Sequence, residues 1–91
     1  MPAIHLERTH RLGLKKARAA AQRVADDMAQ TFEMTSEWDG NALRFERSGV
    51  SGSLRVSRDR VVLDAQIGGL LTVFRGRIEE RLNADFDRYF G

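Results

Sequence analysis

ALRFERSGVSGSLRVSRDRVVLDAQI, residues 42–67, is the stretch whose reading decides the fold. In its first run Leu43 and Phe45 face one way while Arg44 and Glu46 face the other. Leu54 and Val56 alternate with Ser53, Arg55 and Ser57. Val61, Leu63, Ala65 and Ile67 alternate with Val62, Asp64 and Gln66. A period of two marks strands with one buried face. Ser48-Gly49-Val50-Ser51-Gly52 reads as a turn or bulge, and Arg58-Asp59-Arg60 as a second turn. Turns this close join neighbouring antiparallel strands, so the stretch predicts a meander.

Working upstream, Met34 to Trp38 is a further short strand. Asp39-Gly40-Asn41 links it to Ala42 to Arg47, a hairpin signal because Gly40 and Asn41 tolerate positive φ. Before that the period changes. Leu14, Ala17, Ala21, Val24, Met28 and Phe32 form one helical stripe, with Lys15, Lys16, Arg23, Asp26, Asp27 and Gln30 opposite. Six alanines between Ala17 and Ala29 favour the helix and keep it slim enough to sit close on a sheet. Ala3 to Thr9 alternates again and predicts a first strand.

Downstream, Gly68-Gly69 ends the last strand. Leu70, Leu71, Val73 and Phe74 make a short apolar patch closed by Gly76. Ile78, Leu82, Phe86, Tyr89 and Phe90 then predict a terminal helix with Glu79 and Glu80 in its first turn, where the helix dipole favours acids. The predicted order is β-α-β-β-β-β-α: a single α+β domain over residues 1–91, with an antiparallel sheet whose helices pack on one face.

Composition narrows the function. The chain has 91 residues, 42% hydrophobic and 31% charged, with one proline and no cysteine. This excludes disulfides, thiolate metal sites and a cysteine nucleophile, and argues against disorder. The chain has no apolar stretch near 18 residues and no opening signal peptide, so we expect a cytoplasmic protein with no transmembrane segment. Net charge is only +2 although pI is about 9.7, because 13 of the 15 basic residues are arginine. The small excess of charge, the missing outward aromatics and the missing RNA-recognition signature all argue against nucleic acid.

Around His5 and His10 no His/Asp/Glu cluster at ligand spacing appears, and the sequence shows no partner that would make either a general base. No serine lies in a Gly-x-Ser-x-Gly elbow. We therefore expect no metal, no cofactor and no enzyme activity. Three features remain as candidate contact sites. Arg8, Arg11, Lys15, Lys16 and Arg18 gather around a helix N-terminus, where bases oppose the dipole; they form either a solvated face or a patch for anionic groups. Leu70, Leu71 and Phe74 belong either to the core or to an exposed partner surface. Trp38 either caps the sheet edge or anchors an interface.

Several segments resemble the polyhydroxyalkanoic acid system proteins. They are Ile4-His5-Leu6 with Thr9-His10-Arg11-Leu12-Gly13-Leu14, then Trp38-Asp39-Gly40-Asn41, then Phe45-Glu46-Arg47-Ser48-Gly49-Val50-Ser51-Gly52-Ser53-Leu54-Arg55-Val56. Gly69-Leu70-Leu71, Gly76, Ile78-Glu79 and the Leu82 to Phe90 helix extend the likeness over nearly the whole chain. The resemblance implies a small bacterial protein encoded with the machinery that makes, stores or mobilises polyhydroxyalkanoate, located at the granule surface. It carries no catalytic residues over. The expected role is a non-enzymatic accessory protein that binds the granule surface or a granule-associated protein, with a homo-oligomer compatible. The alternative is a small hydrophobic-ligand domain that holds a hydroxyacyl group between helix and sheet.

Overall fold

In the computed structural model, which describes residues 3–90 apart from the Leu70 side chain, the predicted order of elements is realised. The strands are β1 (Ala3–Thr9), β2 (Thr35–Asp39), β3 (Ala42–Arg47), β4 (Val50–Val56) and β5 (Arg60–Ile67). The helices are α1 (Gly13–Phe32) and α2 (Arg75–Tyr89), with a 3-10 helix over Gly69–Phe74 leading into α2. One antiparallel sheet forms in the order β1-β5-β4-β3-β2.

Hairpin connections place β2 to β5 side by side, and β1 pairs with β5 at the far edge. The chain must therefore cross the sheet between β1 and β2. A 20-residue helix does this, because it rises about 30 Å, more than the roughly 19 Å across five strands. Ala17 and Ala21 are wholly buried, and such small side chains allow a close approach to the strands.

Register puts Leu43, Phe45, Leu54, Val56, Val61, Leu63, Ala65 and Ile67 on the covered face, all buried. Both helices lie on that face and complete the core with Val24, Met28, Ile78, Leu82 and Phe86. The opposite face carries ion pairs, including Arg60 with Glu7 and Arg44 with Asp39.

Four details differ from the sequence reading. The turn after β3 is only Ser48-Gly49, so Ser51 and Gly52 belong to β4. A Cβ at Gly52 would stand 2.7 Å from the Phe45 ring and 2.6 Å from the Asp64 carbonyl; glycine is there to let the ring cross the strand. Met34 is buried just ahead of β2 rather than inside it. Leu14, at the head of the expected stripe, is 36% exposed because it projects beyond the sheet-covered part of α1. Finally, α2 starts at Arg75, so Gly76 lies inside the helix and its first turn holds no acid. The 3-10 helix runs straight into α2, leaving no break for Gly76 to make.

Candidate binding surface

The basic cluster expected around the start of α1 divides in three. Arg8 faces the helical layer and pairs with Asp87 of α2. Arg18 lies over the Trp38 ring, 4.2 Å from its centroid, and donates to the Gly40 carbonyl at 2.6 Å and to Asn41 Oδ1 at 2.9 Å. It clamps the β2–β3 hairpin to α1. Arg11, Lys15 and Lys16 are exposed and make no ion pair among the described residues.

Trp38 faces the helices, half-buried, and its Nε1–H donates to Gln22 Oε1 at 2.8 Å. Of its two expected roles, the geometry is that of a cap on the sheet edge.

The apolar patch also divides. Leu71 packs against the core. Phe74 is 43% exposed and Val73 80% exposed; among the described residues Leu14 is the other exposed large hydrophobic residue. The Leu70 side chain lies outside the described residues. The 3-10 geometry accounts for Val73, which at three residues per turn points about 240° from Leu71; Phe74, three residues after Leu71, shares its side and lines the same cleft while remaining 43% exposed.

Beside this turn lies an open cleft of about 710 Å3 at the C-terminal end of α1. Phe32, Met34, Leu71, Phe74 and Ile78 form its apolar walls, with Arg47 among them. The basic residues at the start of α1 are roughly 25 Å away along the helix, so the two features singled out in the sequence occupy opposite ends of α1.

Arg47, read from the sequence only as the last residue of its strand, ends β3 half-buried. It donates from Nη1 to the Phe32 carbonyl at 2.7 Å, at the point where α1 terminates through Glu33 in the left-handed conformation. Its buried Nε has no hydrogen-bond partner, and the guanidinium makes no ion pair among the described residues.

A second cluster joins the helices. Arg81 of α2 forks onto Asp27 of α1, with Nε 2.8 Å from Oδ2 and Nη2 2.7 Å from Oδ1. That fork, helped by a hydrogen bond with Asp85, holds the Asp27 carboxyl well below the usual carboxylate range. Asp85 is buried, with Oδ2 unpartnered, and burial first, then the neighbouring Asp27, push it up to about 7. Asp85 thus keeps a proton under mildly acidic conditions. Asp27 and Asp85 lie on different helices, and no spacing in the sequence announces that they meet.

The histidines differ in environment. His10 is buried: its Nδ1 accepts from the Leu12 N–H at 3.2 Å, so Nε2 carries the proton and donates to the Ser57 carbonyl at 3.1 Å. Its ring also packs on Phe90, 5.6 Å away. His5 lies on the open sheet face, 2.5 Å from Asp64, which raises its pKa by hydrogen bonding. Register sets Asp64 between His5 and Ser53, so the imidazole cannot reach that hydroxyl as a base. Among the described residues, no three His, Asp or Glu side chains gather as a metal site, and no helix is long and apolar enough to cross a membrane.

No curated protein matches the chain. The match lies at the level of a family, and it spans every element from β1 to α2. The model of the family described as "Putative polyhydroxyalkanoic acid system protein" matches residues 4–90, and the chain belongs to that family.

Proposed function

We propose that this protein is a non-enzymatic accessory of the polyhydroxyalkanoate system that docks, in the cytoplasm, on the granule surface. The contact is the 3-10 turn, with Val73 and Phe74 inserted among apolar polyester segments. One observation carries this reading: among the described residues, Val73 and Phe74 are two adjacent large apolar side chains that are both exposed, and Leu14 alone shares that exposure. Exposed apolar groups of this kind mark contact surfaces. The family description supplies the polymer, and a polyester surface is the apolar phase such a turn fits. The exposed Arg77, in the first turn of α2, stands close in sequence to this contact and is available to any anionic group at the interface.

Binding rather than catalysis is favoured by the histidines. His10 is committed to two backbone groups, and the His5–Asp64 pair lies on an open face.

Flotation with purified granules tests the proposal. Wild-type protein is expected in the floating fraction and the V73S/F74S double variant in the soluble one. Equal partition of the two into the floating fraction would remove the turn as the contact. Flotation that requires granule-coat proteins would transfer the docking partner from polyester to protein.

A further inference from the structure

The floor of the cleft beside the docking turn is apolar apart from one cation. Phe32, Met34, Leu71 and Ile78 are buried or half-buried, and among them the half-buried Arg47 guanidinium lacks an acidic partner among the described residues. The other charged residues of the cleft, Glu33, Glu80, Arg77 and Arg81, are exposed on the rim. Arg81 is already taken by the Asp27 fork. A charge drawn partly out of water without a counter-ion is unfavourable, and an arginine is best satisfied by a two-oxygen anion. Arg47 cannot swing away readily, because its backbone ends a paired strand and Nη1 holds the α1 carbonyl terminus.

We propose that this cleft takes an aliphatic carboxylic acid of medium chain length, with the carboxylate on Arg47 and the chain along Phe32, Leu71 and Ile78. Size fits: about 710 Å3 lies within the usual range of small-molecule pockets. Charge is compatible as well, since the lining cations Arg47, Arg77 and Arg81 outnumber the lining acids Glu33 and Glu80. The same chemistry has two sources, a free acid or the acid terminus of a polyester chain. In naming what the face beside the turn holds, the proposal deepens the docking reading and rests on it for the second source.

The test is titration of the isotope-labelled full-length chain with octanoate and with octanol, followed by amide shifts. Octanoate is expected to shift Phe32, Arg47, Leu71 and Ile78, with octanol roughly tenfold weaker for want of the charged contact. Arg47→Met is expected to weaken octanoate binding roughly tenfold, and Arg47→Lys to restore part of it. Should Arg47→Met unfold, Leu71→Trp fills the cleft while keeping Arg47 and is expected to abolish binding. Equal affinity for octanol and octanoate, shifts confined to other surfaces, or unchanged binding in Leu71→Trp would overturn the proposal.

Oligomers of 3-hydroxyoctanoate with a free acid end, compared with methyl-ester-capped ones, separate the sources. Binding of the free-ended oligomer assigns the site to chain termini; binding of octanoate alone assigns it to free acid. Wild-type protein that binds octanoate yet fails to float with granules would sink the docking reading and leave the cleft standing. Flotation without octanoate binding would do the reverse.

Discussion

The two helices lie on the same sheet face but are built in opposite ways. α1 meets the strands through Ala17, Ala20, Ala21, Val24 and Ala25, small side chains that bring helix and sheet into close contact. α2 is held by larger groups, Ile78, Leu82 and Phe86, and by polar links to its surroundings, Arg81 with Asp27 and Arg8 with Asp87. The cleft opens where the first turns of α2 and the 3-10 helix meet the end of α1. The difference teaches that the crossing helix is scaffold, whereas the terminal helix and its leading turn supply the surface with spare contact area.

This contrast can be broken most directly at Phe86, which is wholly buried and packs edge-on against Phe90 with centroids 5.5 Å apart. Phe86→Ala is expected to lower unfolding free energy by about 3–5 kcal/mol in urea titrations, since it empties the main anchor of α2. Ala21→Leu probes α1 in the opposite sense. Overpacking a close helix–sheet contact is expected to cost about 1–3 kcal/mol, measured the same way. If Ala21→Leu were harmless, α1 would not be tightly seated and the comparison would fail.

Asp85 sharpens the contrast through pH. Its folded pKa is raised to about 7, so the folded chain holds a proton that the unfolded chain releases near the ordinary carboxylate value. That contribution is fully present at low pH and is lost as pH rises through about 7. His5, raised by Asp64, acts in the same direction at the upper end of the window, weakly because it is exposed. Asp27, with its pKa lowered, acts oppositely: its stabilisation is lost only in strong acid. Thermal melts between pH 5 and 8 are expected to show falling stability in the wild type and a flatter profile in Asp85→Asn, with His5→Gln changing the slope little.

The smallest effect is expected at the docking turn. In the V73S/F74S variant the largely exposed Val73 contributes little, but Phe74 is more than half covered, so a loss of about 1 kcal/mol is expected even as the protein leaves the granule fraction. A large loss of stability would mean that the turn is part of the core and that the surface reading is mistaken.

Much of the architecture was legible because alternation and helical spacing are local signals. Leu43 and Phe45, or Ala17 and Ala21, reveal their buried face by spacing alone. The site was less legible. Phe74 could be singled out as apolar, but that it stands partly in the cleft and partly in water depends on how the linker seats against the end of α1. Arg18 resembled one more surface base until folding placed Trp38 and the hairpin beneath it. Arg47 follows Leu43 and Phe45 at a spacing of two and so falls on the covered side of β3, but nothing nearby in the chain shows that the end of α1 will close over it.

By itself, the order of residues determined the strands, the two helices and the face each would bury, because those depend on neighbours two to four positions apart. Only the tertiary structure decided which charges meet, that the half-buried Arg47 makes no ion pair among the described residues, and where the cleft lies. Those outcomes depend on groups far apart in the chain, such as Asp27 and Arg81, whose approach is set by how closely side chains on two helices pack over one sheet.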